Sequence, residues 1–551
     1  MIANKLVESW LDNQTERQYQ PAFIQLLISE GWTVLHNTRH SPLEFGKDVI
    51  ARDPNGALYA IQLKGNPGSR LTKSQAQEML PQVHEGLVSF VPDAYRRESN
   101  EKHKFVICTN GEIDEEALVL FQSVAKICDS GMAAASSVEY WARGALLQRF
   151  SQKIEDIWPS NVKAMAATLR LYTHDGLDTP SPREIAIPIF ASLTHTGKLT
   201  SSRKNSLITS SFLMAEIVKA PWYRTDDHYS LYLITVIATV ACGPLADSKD
   251  RQEIVSEYAT VALNHCTSLI EEAQDAGFVP GEIWARGNPM AEFDIMQERQ
   301  RRIADCAAVI VLADALMSDT SKAYIRDLIR KSFGANSLWG QAVIPSMILR
   351  YWALRRLEAG IGPDQLLVTI CRSCISAASM RRAEQSGANA APYYSFEEVL
   401  YQVTGGEVGI ESSIAQDRAS GRSYFAKPLF LMTAKRNWKQ SCKALWRRYS
   451  NLLLEEVNVP GPEFCSPAMS EKGENITEQN YSANWNDLLN MAIDLGRWSF
   501  GERFKATPWL LAAYISCVPY RASPRVILHL DERLSKTWYS ATHRPGDPIL
   551  R

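Results

Sequence analysis

Asp48, Gln62 and Lys64 are the residues whose types and spacing best suit chemistry. They lie on two short aliphatic, β-branched runs that flank Pro54-Asn55-Gly56, a pattern that predicts a β-hairpin. Pro54 presets the φ of a type I turn, Asn55 tolerates the next position, and Gly56 takes the left-handed residue of the closing bulge. A three-residue loop of this kind sets Asp53 opposite Ala57 and therefore Asp48 opposite Gln62. Alternation then puts Gln62 and Lys64 on the face of Asp48, with Ile61 and Leu63 on the other side. A two-residue turn would set Ile61 opposite Asp48 and scatter the patch.

An acid, an amide and an ammonium on one face suit metal-assisted hydrolysis of a phosphodiester. Asp48 is a hard oxygen ligand for Mg²⁺, which favours one or two carboxylates with waters and substrate phosphate. Mn²⁺ would serve in its place. Gln62 offers a carbonyl oxygen, as does the main chain of Leu63. Lys64 can orient or deprotonate the attacking water, or neutralise charge on phosphorus. The bland alternative is a solvated hairpin face carrying three polar side chains.

The stretch Gly46-Lys47-Asp48-Val49-Ile50-Ala51, followed by Ile61-Gln62-Leu63-Lys64-Gly65, resembles the core of the Mrr-like branch of the PD-(D/E)xK restriction-endonuclease superfamily, where glutamine replaces the second acid. Lys104-Phe105-Val106-Ile107-Cys108-Thr109-Asn110-Gly111 is similar to that family's next core strand, and Asp114-Glu115-Glu116-Ala117 to the start of its following helix. The resemblance covers the first quarter of the chain. It implies a mixed sheet flanked by helices and a Mg²⁺-dependent nuclease acting on nucleic acid, DNA first. Such enzymes carry a further glutamate on the first helix, about ten residues before its closing glycine. Tyr19-Gln20-Pro21 stands there instead, so Glu16 or Glu44 is the candidate for that carboxylate.

A chain of 551 residues has room for two to four domains. Hydrophobic content of 45%, charged content of 22% and a net charge of −2 are ordinary for a globular protein, so nucleic acid would be met by a local patch. Ten cysteines without paired spacing fit a reducing cytoplasm, and Cys371 with Cys374 reads as two buried helix cysteines rather than half a zinc site. No signal peptide is expected at the N-terminus. The apolar run 229–245 is expected to be a buried core helix and not a membrane span.

Helices are predicted over 2–11 and 21–30, the second with Pro21 at its first position, then over 74–88, 114–125 and 141–150, with strands at 32–35 and 105–109. Residues 1–150 thus read as an α/β nuclease-like domain, and 151–551 as a large helical region for sensing, oligomerisation or partner binding, with a division near 385–425. In that region helices are expected over 207–220, 228–242, 251–276, 292–317, 321–333, 339–359, 363–382, 433–456, 485–500 and 508–517, and a mobile loop or linker over 459–484. No repeat period is visible.

Candidate phosphate contacts are Arg70 and Lys73 after the hairpin, and a basic aromatic segment with Lys435, Arg436, Trp438 and Lys439, whose indoles could stack on bases. The alternative there is a helix with tryptophans inward and basic residues solvated. Asp226-Asp227-His228 could bind a metal but reads rather as the N-terminal cap of a helix. No phosphate-binding glycine loop is present, so no ATP-driven motor is expected within this chain, and any helicase, ATPase or sensor subunit would be a partner acting in trans. The expected whole is a homo-oligomeric, non-membrane protein, and the resemblance implies an effector of prokaryotic defence against phage or plasmid DNA. A catalytically inactive nucleic-acid-binding scaffold and an RNA-cleaving nuclease are the other readings.

Overall fold

The computed structural model describes residues 2–37, 47–131, 133–153, 162–191, 193, 199–279, 289–315, 319–332, 340–358, 362–379, 390–394, 399, 421–457, 464–465, 476–480, 484–496, 504 and 507–535. Glu44, the pair Arg381-Arg382 and most of the expected division at 385–425 lie outside these residues. The chain divides into two compact units, residues 1–177 with 187–226, and residues 178–186 with 227–551. The first unit therefore reaches past the expected edge at 150.

In the first unit, α1 (Ile2–Leu11) and α2 (Glu16–Ser29) lead into a five-stranded mixed sheet. Its strands are β1 (Thr33–Asn37), β2 (Val49–Arg52), β3 (Leu58–Lys64), β5 (His103–Thr109) and β7 (Ala135–Trp141), side by side in that order. The first two pairings are antiparallel, and β3, β5 and β7 run parallel. A two-residue bridge of β4 (Arg70–Leu71) with β6 (Glu112–Ile113) joins the loops beyond the parallel strands. Helices α3 (Lys73–Val88), α4 (Glu115–Ala125) and α5 (Arg143–Gln152) complete the set.

One sheet face, with Ile50, Leu58, Ala60, Phe105 and Ile107, packs under Leu71, Met79, Val83 and Leu87 and under Ala117 and Phe121 of α4. The opposite face carries Ile61, Leu63, Val106 and Cys108, all fully buried. There Phe23 of α2 meets Trp141, which also meets Trp32 and Tyr59. Trp141 is thus the last residue of a strand, and the helix expected from 141 starts at Arg143.

Helix α2 begins five residues before the expected start. Thr15 donates its N–H to Gln18 Oε1 at 2.8 Å, the return half of a capping box, so the Thr-x-x-Gln spacing overrides Pro21 as the start signal. Pro21 lies inside the helix, and the early start carries Glu16 and Tyr19 onto it.

Further helices follow: α6 (Val162–Tyr172), α7 (Pro182–Ala191), α8 (Ser201–Val218) and α9 (Ala220–Arg224). Within the first unit α8 packs against α2, and Gln18 Nε2 donates to the Tyr223 carbonyl at 3.3 Å.

The second unit is built on helices α10 (His228–Ala241), α11 (Lys249–Asp275), α12 (Pro289–Leu312), α13 (Asp319–Lys331), α14 (Ile344–Leu357) and α15 (Gly362–Ala378), then α16 (Ala426–Lys435), α17 (Lys439–Tyr449), α18 (Trp485–Gly496), α19 (Pro508–Cys517) and α20 (Pro524–Ser535). The segment His228–Leu245 is long and apolar enough to cross a membrane, with mean hydropathy 1.4, yet 83% of it is buried inside the protein. Asp227 caps α10, accepting from the Ser230 N–H at 3.0 Å.

The helix expected over 433–456 is three elements. Asn437 adopts φ 61° between α16 and α17, and Leu453–Val457 is strand β9. With β8 (Arg422–Ser423) and β10 (Ile476–Asn480) it forms a small sheet, so strands persist in the helical region and one of them lies inside the expected 459–484 loop.

Candidate active site

The hairpin has the register that its loop implies. Asp53 donates its N–H to Ala57 at 3.0 Å and accepts from Gly56 at 2.9 Å, with Gly56 at φ 86°. Val49 faces Ile61, so Asp48, one residue earlier, falls beside Gln62, and its N–H reaches the Ile61 carbonyl at 2.9 Å. Asp48 extends the row of Ile50, and Gln62 and Lys64 extend the row of Leu58 and Ala60.

The side chains then engage each other. Asp48 Oδ2 accepts from Gln62 Nε2 and from the main-chain N–H of Leu63, both at 2.6 Å. The carboxylate extends the ladder just before β2 begins, which satisfies an N–H that would otherwise be stranded at the hairpin base. Asp48 is 7% exposed and Gln62 3%. A solvated hairpin face does not describe these two residues. Gln62 Oε1 is buried with no hydrogen-bond partner, an acceptor of the hard type that a divalent cation uses. The Leu63 carbonyl lies 3.4 Å from Gln62 Nε2.

Lys64 ends β3 with its ammonium 3.6 Å from Glu16 Oε2, each side chain about a quarter exposed. Gly65 allows that approach, since a Cβ there would stand 2.3 Å from the Glu16 main-chain nitrogen. Glu16 is therefore the described residue that brings a second carboxylate to Lys64. Among the described residues no cluster of three or more His, Cys, Asp or Glu could hold a metal. A cation here would rest on Asp48, the Gln62 amide oxygen, main-chain oxygen and water, a set that suits Mg²⁺ or Mn²⁺ and not zinc.

Sequence reasoning missed Tyr19. Its hydroxyl donates to the Lys64 carbonyl at 3.1 Å and lies 3.4 Å from the Cys108 carbonyl, bridging the ends of two parallel strands. Burial pushes the phenol well above its usual range, with Cys108, Glu16 and Asp48 adding to the rise, so it stays a neutral donor. The overlooked signal was its place on α2, three residues after Glu16. Lys47 was also unassigned: it is 2% exposed, and burial lowers its ammonium to about 8 against the opposing pull of Glu85.

The nucleic-acid candidates divide. Arg70 pairs with Asp114 at 3.5 Å and Lys73 with Glu116 at 3.1 Å, both on the surface beyond β3. In the second unit Trp438 is fully buried and unable to stack on a base. Arg436 is spent on Asp531 at 2.7 Å, and Lys435 pairs with Glu532. Lys439 is exposed, and Lys443, Arg447 and Arg448 are exposed with it. The indoles turn inward and the basic face outward.

Among the short arginine clusters elsewhere in the helical region, Arg299 is exposed, Arg301 and Arg302 bind buried Glu298, and Arg355 and Arg356 pair with Asp364 and Asp314. Cys371 and Cys374 are both buried in α15, where the Cys374 thiol meets the Ser423 hydroxyl at 3.7 Å.

A mixed sheet with a polar cluster at the carboxyl end of a parallel strand is the class of fold this unit defines, and such ends are where open α/β sheets bind ligands. No family model matches the chain, and comparisons with curated proteins and with solved structures find no match.

Proposed function

We propose that the first unit is a Mg²⁺- or Mn²⁺-dependent nuclease that hydrolyses phosphodiester bonds, with DNA as the substrate. The observation that carries this reading is the buried Asp48 carboxylate bonded to Gln62 across the hairpin, with the Lys64–Glu16 pair at the end of the same strand. Asp48 and Gln62 would hold the cation, with Glu16 or the Leu63 carbonyl completing its protein ligands. A divalent cation there supplies Lewis-acid stabilisation of phosphate charge. Lys64 holds a positive charge at the strand end, where it orients a water or offsets charge building on phosphate. Glu16 keeps that ammonium in place, and Tyr19 fixes the main chain that carries it.

The helical unit is assigned the restraint and targeting of the nuclease. The resemblance stated above extends this to a cytoplasmic effector of prokaryotic defence, working as a homo-oligomer or with a partner ATPase, helicase or sensor. That extension rests on analogy of family and not on chemistry.

The deciding experiment is digestion of duplex DNA, single strands and total RNA by the purified chain with Mg²⁺ or Mn²⁺, with and without EDTA. Asp48→Ala and Lys64→Ala should each slow cleavage about a thousandfold, ~4 kcal/mol of transition-state stabilisation. Full activity in either folded variant removes the site assignment. A second reading, nucleic-acid binding without cleavage, is favoured by Tyr19-Gln20-Pro21 standing where the resembled enzymes carry their further glutamate. Retention of DNA with no cut under any divalent ion would select it.

A further inference from the structure

From the hydrogen bonds around Asn110, which directly follows β5, we infer that this residue positions Glu16 against Lys64; the inference rests on the nuclease reading of that pair. Asn110 is fully buried. Its Nδ2 donates to the Leu11 carbonyl at 2.8 Å and to the Gln14 carbonyl at 2.7 Å. Its Oδ1 accepts the main-chain N–H of Asn66 at 2.7 Å. Leu11 ends α1, Gln14 lies two residues before Glu16, and Asn66 lies two residues after Lys64.

One side chain therefore ties the turn that launches α2 to the chain that leaves β3. These are the segments that carry Glu16 and Lys64. Both amide hydrogens and the amide oxygen are used, a set only an asparagine of this reach can meet. An aspartate would turn a carboxylate oxygen toward two carbonyls, and an alanine would strand three main-chain groups.

The surroundings fix the same two segments. Thr109 Oγ1 donates to Asn66 Oδ1 at 3.1 Å and accepts the Gly111 N–H at 3.1 Å. Gly65 lies against the Glu16 main chain with no room for a Cβ, and Gly111 lies as tightly against Asn66 and Ser69. With the main chains this close, the 3.6 Å between Lys64 Nζ and Glu16 Oε2 follows from how the turn is held. Asn110 is a positioning residue and touches neither charge.

A double-mutant cycle on the full chain tests this, with Mn²⁺ affinity by titration calorimetry and the KM and kcat of plasmid cleavage as separate readouts. Asn110→Ala and Glu16→Gln should each weaken Mn²⁺ binding about tenfold, and the double variant should bind no more weakly than Glu16→Gln alone. Both should lower kcat and leave KM for DNA within about twofold. Additive losses, or an effect of Asn110→Ala that persists in full without Glu16, would overturn the inference.

Asn110→Ser, which keeps a short polar side chain, serves if the alanine variant does not fold. Unfolding of both would assign Asn110 to fold integrity alone and also overturn it. Mn²⁺ coupling with no cleavage by the wild type would sink the nuclease reading and leave the positioning intact, whereas cleavage with additive losses would do the reverse. A wild type that does not bind Mn²⁺ overturns both.

Discussion

Gln62 stands where a second carboxylate would bring two buried negative charges within hydrogen-bond distance of each other. As an amide it stabilises the Asp48 carboxylate by donating at 2.6 Å, and it keeps an acceptor in reserve. Gln62→Glu should therefore have opposite effects in two conditions. Without divalent ions, repulsion with Asp48 should lower the thermal midpoint by several degrees. With Mn²⁺ the same variant should bind the ion at least tenfold more tightly and recover the midpoint. Midpoints in EDTA and in Mn²⁺ check both halves, and equal shifts in the two conditions would argue against a cation between residues 48 and 62. This pairing was legible in the sequence because Pro54-Asn55-Gly56 sets the register and alternation does the rest. Tyr19 and Asn110 were not legible, since each acts by bonding main-chain atoms far off in the chain, and no spacing of side chains announces that.

His103 opens β5 and fastens it to α3, with Nε2 at 3.0 Å from the Gly86 carbonyl. Burial, aided by the charge of Lys47, pushes its imidazole from 6.5 down to about 4. Between those values the unfolded chain binds the proton and the folded chain refuses it, so stability falls as pH drops from 6.5 to 4, by up to ~3 kcal/mol. Thermal midpoints over that range should slope for the wild type and flatten for His103→Gln. Parallel curves would contradict the assignment. At this scale periodicity found most helices and the strands next to the motif. It failed where a local signal was outvoted: Thr15 with Gln18 starts α2 ahead of Pro21, and Asn437 in a left-handed conformation splits the helix expected over 433–456. The basic aromatic segment is broken at Asn437 and takes the alternative orientation, tryptophan inward, because Trp438 fills a buried site while Lys439, Lys443 and Arg447 recur at four-residue spacing outside.

The expected domain edge at 150 came from a change in pattern, and pattern does not report what a helix packs on. Helix α8 covers α2, the helix that bears Glu16 and Tyr19, so residues 201–218 belong with the five-stranded mixed sheet. Residues 1–150 alone should then be poorly folded and inactive, and the fragment expected to carry the activity is residues 1–226. Plasmid cleavage and thermal unfolding of both fragments beside the full chain measure this. Activity in the shorter fragment equal to that of the longer would show that α8 is dispensable. If the helical unit restrains the nuclease, the 1–226 fragment should also cut faster than the whole.

The backbone passes between the two units three times, after residues 177, 186 and 226. During synthesis β2 and β3 emerge early, while α8, which packs on α2, arrives some two hundred residues into the chain. A ribosome that stalls, or a message cut short, before that point releases a polypeptide with Asp48, Gln62 and Lys64 present and their scaffold unfinished. If the proposed nuclease activity holds, such an incomplete copy would be harmless to the cell that made it.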